Sequence, residues 1–313
     1  MTSRQKIIIH TFLISLSVAL LIGLGLYVHK NQETFEKIKH IHIGIILMLI
    51  SMHIINYCFL GLTHRYPLKK DNVFLKFNEW YGLCTVADLY NLLLPASGGT
   101  AIRFMYINKK KHIPMSVVLS MSLSVFLPGV LLLGVTGSLY TQFFMGPLSP
   151  VFNILKIFFI GLTVGTSIFI FGSRFLVKLF KLKKSFDIKK YFFDRKIFLN
   201  SLLCYVGMFL IHPVKVYLSF KAIGVDIPLS QSYEISLILL ASAFFQVLPG
   251  NVGVKELVTA YISQQYGIQF ETALLASLVD RAILLLFLFP FGAYFYWRLF
   301  LDASLLKRIP EST

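Results

Sequence analysis

Eight ionisable residues lie inside stretches of the sequence that are otherwise apolar. They are Asp88, Arg103, His212, Lys215, Lys255, Glu256, Asp280 and Arg281. A charge at the depth of a lipid bilayer is costly unless it pairs with another charge or faces a water-filled cavity, so such residues usually mark a functional site. The guanidinium of Arg103 has the planar geometry for a bidentate contact with phosphate. These residue types therefore indicate the binding of a polar, anionic group within a membrane.

Two helix-breaking patterns lie beside these charges. The pattern Pro-x-x-x-Gly occurs at Pro95 to Gly99 and again at Pro249 to Gly253. Proline removes a backbone donor, and open backbone is tolerated at membrane depth only where protein or a cavity satisfies it. Arg103 and Glu256 follow the two glycines closely, which predicts that both lie on the first turn of a helix leaving a break. Such helix starts favour an anion such as a lipid phosphate.

This reasoning assigns roles to ten residues. The predicted substrate-binding residues are Arg103, Arg281, Lys255, Gly99 and Gly253. The predicted gating or coupling residues are Pro95, Pro249, Glu256, Asp280 and Asp88. A matched pair of breaks in two halves of a chain is typical of a transport site.

Several of these assignments have structural alternatives. Arg281 could instead form a structural salt bridge with Glu256 or Asp88, and the two breaks could be ordinary helix ends at the membrane surface. Glu256 is also a candidate for proton coupling. The His212-Pro213 pair favours a kinked helix with a hydrogen-bonded histidine over a ligand site.

Hydropathy predicts the elements that position these residues. The 313-residue chain is 56% hydrophobic and 14% charged, with a mean hydropathy of +0.73. Apolar runs long enough to cross a hydrocarbon core of roughly 30 Å lie at about 7–28, 41–62, 115–140, 151–172, 197–220 and 272–299. The first run resembles a signal peptide but is too long for the apolar region of one. The chain is therefore expected to be an integral membrane protein.

The predicted fold is an all-α polytopic membrane protein with about six full spans and two re-entrant helical hairpins arranged as an inverted repeat. The first repeat covers about residues 7–140 and the second about 151–299. Residues 1–313 form a single transmembrane domain in this prediction. No soluble domain is expected, because no segment between the runs is long enough to hold one.

The basic residues predict the sidedness of this arrangement. The formal net charge is +16, and most Lys and Arg residues fall in stretches that share one side if the N-terminus and the C-terminus are cytoplasmic. This requires that residues 80–108 enter from the cytoplasm and return to it, and that residues 232–266 do the same from the outer face. The predicted location is the cell inner (plasma) membrane, and nucleic acid is not expected as a partner. The lysines from Lys181 to Lys190 either bind anionic lipids or act only as topogenic charge.

No enzymatic site is evident from spacing. The three cysteines, Cys58, Cys84 and Cys204, have no metal or redox spacing and are interpreted as small buried residues. No nucleophile–base pair, metal cluster or Gly-rich phosphate loop is present. We therefore expect no catalytic residues, no metal and no cofactor, and predict that the protein is not an enzyme.

The motifs resemble those of a known family. They are Leu94-Pro95-x-x-x-Gly99-x-x-x-Arg103, Leu248-Pro249-Gly250-x-x-Gly253-x-Lys255-Glu256, Asp280-Arg281 and Pro290-x-Gly292. They resemble the lysylphosphatidylglycerol synthase transmembrane-region family over about residues 45–300, with the second motif the most specific. The family includes the flippase half of the bacterial multiple peptide resistance factor and stand-alone proteins of cell-envelope pathways.

The resemblance has departures and implications. Thr100 replaces a common acidic residue, and Ser122 to Val125 replace an acidic-Arg pair, so the first half is expected to carry less of the headgroup site. No soluble aminoacyl-transferase domain is present, so lysyl transfer is not expected. The resemblance implies a flippase-like translocase for a phospholipid or a lipid-linked glycan precursor, with membrane lipids as ligands. The alternatives are a lipid-modifying enzyme or accessory subunit of a glycolipid pathway, and a scaffold with an envelope glycosyltransferase partner.

Overall fold

The computed structural model describes residues 36–93, 98–143, 150–179, 190–191, 194–242 and 249–301. These ranges contain nine α-helices and no β-strand. The helices are α1 (Ile43–Lys69), α2 (Phe77–Leu93), α3 (Gly98–Lys111), α4 (Met115–Phe143), α5 (Pro150–Leu179), α6 (Arg195–Ala222), α7 (Leu229–Ser242), α8 (Val254–Gln264) and α9 (Phe270–Tyr296). Short 3-10 turns span Glu36–His40 and Pro249–Asn251, and a π-helical turn, Trp297–Leu301, extends α9.

Five helices are long and apolar enough to cross a membrane. They are α1, α4, α5, α6 and α9, and their most apolar windows have mean hydropathies of 1.8 to 2.2. These helices match five of the six predicted spans, while the run at 7–28 lies outside the described residues. The prediction of an all-helical, polytopic membrane protein is confirmed. Prolines inside four of these helices are compatible with membrane helices, in which neighbouring groups can satisfy the freed carbonyls.

The remaining helices form two packed pairs, α2 with α3 and α7 with α8. Each pair flanks one of the predicted breaks. Residues 94–97 of the first break, including Pro95, lie outside the described residues, and so do residues 243–248, which precede the second break. The order of long helix, helix pair and long helix occurs in both halves, as in α1, α2–α3, α4 and again in α6, α7–α8, α9.

The first helix pair opens at the end of the bundle where basic residues gather. Lys111 near the end of α3 lies 2.5 Å from Glu79 at the start of α2, so both open ends of the pair are together. The Lys110 ammonium donates to the Leu299 carbonyl beyond α9. Lys70 pairs with Asp194, which joins the end of α1 to the start of α6. We call this region the basic end.

The second helix pair opens at the opposite end. Helix α4 begins beside the end of α3 and runs for 29 residues, about 43 Å, away from the basic end. Near its far end, the Tyr140 hydroxyl donates to the Ser230 carbonyl in the first turn of α7, at 3.0 Å. Tyr266, just beyond α8, lies beside Glu234 in α7. The two pairs therefore open at opposite ends of the bundle, and the inverted repeat of re-entrant hairpins stays a prediction.

The tips of the two pairs meet inside the bundle. Helix α2 packs against the turn Pro249–Asn251, where Leu92 lies against Gly250. Helix α9 contacts both α2 and α8, and so supports both tips from one side. By contrast, α5 exposes a row of apolar side chains, Ile154, Ile157, Ile160, Val164 and Ile168. Their spacing of three or four residues places them on one helix face, which suits contact with lipid.

Candidate functional site

The turn before α8 has an unusual backbone. Gly250, Asn251 and Gly253 have positive φ angles of 59°, 52° and 82°. Only glycine, and to a lesser degree asparagine, adopts such angles at little cost, which explains why this sequence can turn sharply between Pro249 and α8. The turn leaves carbonyl groups outside the helical hydrogen-bond pattern, and these groups require donors.

Arg281 supplies those donors from α9. Its guanidinium pairs with Glu256, whose side chain is fully buried, and it also donates to the Gly250 carbonyl at 3.2 Å and the Asn251 carbonyl at 3.4 Å. The second Glu256 oxygen accepts from the Gly253 amide at 2.8 Å, as in a capping box. Of the alternatives for Arg281, the salt bridge with Glu256 is therefore present, and it fixes the tip of the second pair.

A second ionic cluster lies one residue away on both helices. The Lys255 ammonium is 2.7 Å from Oδ2 of Asp280, and Nε2 of His53 on α1 is 3.3 Å from Oδ1 of the same carboxylate. His53 and Asp280 are 1% and 7% exposed. The cluster connects α8, α9 and α1, and each Asp280 oxygen has a nitrogen beside it.

This cluster borders a cavity of about 280 Å³. The lining side chains come from α6, α7, α8 and α9, together with Asn251 from the turn. Ionisable groups in the lining are His212, Lys215, Lys255 and Asp280, and the hydroxyls of Thr259 and Ser277 lie there as well. The cavity is therefore an apolar chamber with a small set of charged groups, which is typical of a ligand site.

Two cavity residues were not among the predicted site residues. Helix α6 continues through Pro213, and His212 lines the cavity, while the kink that the sequence favours at this pair stays a prediction. Lys215 is only 6% exposed and also lines the cavity. The signal in the sequence is that lysine is rare in an apolar span. That Lys215 shares a cavity with Lys255 depends on how α6 packs, which the sequence does not show.

The first helix pair carries a separate polar network. Asp88 accepts hydrogen bonds from the Tyr57 hydroxyl at 2.8 Å and from the Asn91 amide at 3.1 Å. The Asn91 oxygen in turn accepts from the Gly99 amide at 2.8 Å. The amides of Gly99 and Gly253 thus both donate to side chains of their own helix pairs in this structure.

Arg103 lies apart from the cavity of the second pair. It sits in the second turn of α3, one turn later than predicted, because α3 already begins at Gly98. Its guanidinium is 2.6 Å from Nε2 of His64 on α1, while its Nε is buried without a hydrogen-bond partner. The structure therefore divides the predicted substrate residues between two places, with Lys255 at the cavity and Arg103 in the first half.

No group of three or more His, Cys, Asp or Glu side chains within the described ranges could hold a metal ion. Cys84 and Cys204 are buried and Cys58 is partly buried, and all three are free.

Comparisons with known proteins agree with the helical architecture. A family model described as the lysylphosphatidylglycerol synthase TM region matches residues 9–292. A UPF0104 membrane protein of Methanothermobacter thermautotrophicus is 28% identical over 91 residues, which cover 28% of this chain and 25% of that protein. The chain thus spans about a quarter of that relative's length. No solved structure matches the chain.

Proposed function

The chain belongs to the lysylphosphatidylglycerol synthase transmembrane-region family, and on that premise we propose that it is a lipid translocase of the plasma membrane. It moves the anionic headgroup of a lipid past the two helix pairs while the hydrocarbon chains stay in the bilayer. The process makes and breaks no covalent bond, so the protein acts as a transporter and not as an enzyme.

One observation carries this proposal. A cavity with two ammonium groups and one carboxylate lies beside the tip of the second helix pair, where that tip meets the first pair. Charges buried among spanning helices are costly and usually serve a pathway. A site next to a meeting point of two oppositely directed pairs is accessible alternately from either end when one pair tilts.

The energetic task is to replace the water around a phosphate. Moving an ion into an apolar medium without partners costs tens of kcal/mol by Born estimates. The ammonium groups of Lys215 and Lys255 and the amide of Asn251 supply fixed donors in the cavity. Such preorganised donors lower the barrier because they need little reorientation when the charge arrives.

The Arg281–Glu256 pair has a positioning role in this proposal. It holds the sharp turn at Gly250 and Asn251 in place, so the wall of the cavity keeps its shape. The Arg281 guanidinium already has three acceptors within the protein, a Glu256 oxygen and the carbonyls of Gly250 and Asn251, and is therefore less available to a headgroup than the lysines.

Leaflet exchange of labelled lipids in proteoliposomes tests the proposal. The panel contains anionic, zwitterionic and prenyl-linked lipids, and the variants are Lys255→Gln and Lys39→Gln. Lys39 is the matched control because its ion pair with Glu36 is exposed. We expect fast exchange of an anionic lipid by the wild type and the control, and slow exchange by Lys255→Gln.

Two outcomes would count against translocation. One is the absence of exchange for every lipid in vesicles that hold folded protein. The other is covalent conversion of a lipid headgroup by the protein in detergent, detected by mass spectrometry, because detergent micelles have no second leaflet. The second outcome would favour a lipid-modifying enzyme.

A further inference from the structure

Lys215 is the cavity residue whose charge is left unmatched. Its side chain is more than nine-tenths buried, and it lines the cavity beside the second helix pair. Within the part of the chain that the structure describes, its ammonium makes no hydrogen bond and no ion pair. A buried ammonium without a partner is unfavourable, so its presence indicates a ligand that supplies the missing charge.

The other charges at the cavity already have partners. Lys255 is paired with Asp280, and the second oxygen of that carboxylate lies beside His53. Arg281 is engaged by Glu256 and two carbonyls. His53 and His212 are counted as neutral, because an ordinary histidine is mostly uncharged at pH 7. The ionised groups lining the cavity therefore leave one positive charge.

We propose that this cavity binds a phosphodiester monoanion through Lys215, with Lys255 as its second cationic neighbour. The inference rests on the proposed function and specifies the substrate class of the same site. A phosphodiester carries a single negative charge, whereas a phosphomonoester carries about −1.5 to −2 at pH 7 and a pyrophosphate link substituted at both ends carries two negative charges. Of these three phosphate groups, only the diester balances the unmatched charge of the cavity.

The same charge balance selects against cationic headgroups. Asp280 is the one carboxylate lining the cavity in the described residues, and its single negative charge is already balanced by Lys255 at Oδ2, while its Oδ1 has the His53 ring beside it and accepts no hydrogen bond. A quaternary amine or a lysylated headgroup would therefore bring positive charge towards two ammonium groups without a free counter-charge. The volume of about 280 Å³ lies just below the usual range of roughly 300–1,000 Å³ for ligand pockets. The ligand is thus a small anionic headgroup such as phosphoglycerol.

Binding to purified full-length protein in detergent tests this proposal independently of transport. The probes are dihexanoyl phosphatidylglycerol, dihexanoyl phosphatidylcholine, dihexanoyl phosphatidate and the soluble diester glycerophosphoglycerol, all at pH 7. The variants are Lys215→Met, Lys215→Arg and Lys221→Met. Lys221 is the matched control, since it lies on the same helix but is exposed at its end.

We expect phosphatidylglycerol to bind wild type, Lys215→Arg and Lys221→Met with similar affinity. Its affinity for Lys215→Met should be about tenfold lower, or lower still, because this variant loses a hydrogen bond from a charged group. Phosphatidylcholine and phosphatidate should bind wild type more weakly than phosphatidylglycerol. If phosphatidylglycerol binds and glycerophosphoglycerol does not, the natural ligand is a lipid headgroup. If both bind equally, the natural ligand is a soluble phosphodiester. Both patterns support the diester site.

A stability measurement separates this role from a structural one. Without ligand, Lys215→Met should raise the unfolding temperature, because it removes an unmatched buried charge. A structural lysine would give the opposite sign. Unchanged phosphatidylglycerol affinity in a folded Lys215→Met protein, or tighter binding of phosphatidate than of phosphatidylglycerol, would overturn the inference. Binding without leaflet exchange would refute the transport proposal alone, and exchange that Lys215→Met leaves intact would refute the inference alone.

Discussion

Gly99 passes so close to Ala87 that a Cβ atom on Gly99 would lie 1.6 Å from the Ala87 carbonyl oxygen. This contact brings α3 against α2 and allows the Gly99 amide to reach Asn91. The obstacle is backbone and not the end of a flexible side chain, so the helices must separate to admit even a methyl group. The close packing of the first helix pair depends on this glycine.

We therefore expect Gly99→Ala to lower the unfolding temperature in detergent. Overpacking of this kind costs typically about 1–3 kcal/mol. Gly161→Ala on α5 is the control, because a Cβ there meets no atom within 4 Å and replacement of glycine in a helix gains roughly 0.5–1 kcal/mol. Equal unfolding temperatures for the two variants would contradict the tight contact.

The Arg281–Glu256 pair should show strong energetic coupling. Glu256→Gln leaves the partly buried guanidinium without its counter-charge, and breaking a buried pair in this way costs about 3–5 kcal/mol. A double-mutant cycle with Arg281→Gln should give a coupling energy of roughly 0.5–3 kcal/mol. Glu36→Gln is the comparison, because the exposed Glu36–Lys39 pair should contribute about 0–1 kcal/mol. Additive effects of the two tip variants would show that the pair does not act as a unit.

Asp194 predicts an acid-dependent loss of stability at the basic end. Burial alone would raise the pKa of this carboxyl, but hydrogen bonds from Lys70 and from the Ile197 and Lys196 amides hold the pKa below its ordinary value of 3.8. Because the folded pKa is below the unfolded one, the stabilisation is present above the unfolded value and disappears as the pH falls through the folded value.

The measurement is the unfolding temperature of wild type and Asp194→Asn from pH 6 to the lowest pH that the protein tolerates. Asparagine keeps most of the helix-capping ability, so the comparison isolates the charge. The wild-type advantage should shrink as the pH falls below about 4. An advantage that stays constant across this range would contradict the assignment.

The sidedness of the helix pairs can be tested by labelling with a membrane-impermeant thiol reagent. In a background without Cys58, Cys84 and Cys204, Lys70→Cys and Lys111→Cys should react from the same side of sealed vesicles. Lys221→Cys, at the other end of α6, should react from the opposite side. Reaction of Lys111→Cys together with Lys221→Cys would mean that α2 and α3 do not return to the side from which they enter.

Five of the spans and the second break could be predicted from sequence because both depend on local properties. Mean hydropathy over a helix length identifies α1, α4, α5, α6 and α9. Positive φ at Gly250 and Gly253 agrees with the open backbone that the second break predicts. The gathering of Lys111, Lys70 and Lys110 at one end likewise agrees with the prediction from charge distribution.

The partners of the buried charges depend on packing and could not be predicted in the same way. Sequence left Arg281 with two possible carboxylates, and only the position of α9 beside α8 selects Glu256. Lys215 is 40 residues from Lys255, and nothing local indicates that they share a cavity. Nothing in the sequence marks His53, because a single histidine in an apolar helix carries no spacing signal, although it lies beside Asp280.

The meeting of the two helix-pair tips also concentrates the electric field across the protein. The two helix pairs approach each other from opposite ends of the bundle. Most of a transmembrane voltage would therefore fall over the short distance between the aqueous spaces on the two sides of their tips. A monoanionic headgroup that passes this point carries its charge through nearly the whole voltage. In the proposed translocation, a membrane potential of 100 mV would change the transfer free energy of this headgroup by about 2.3 kcal/mol, so the potential alone would impose a direction on the movement.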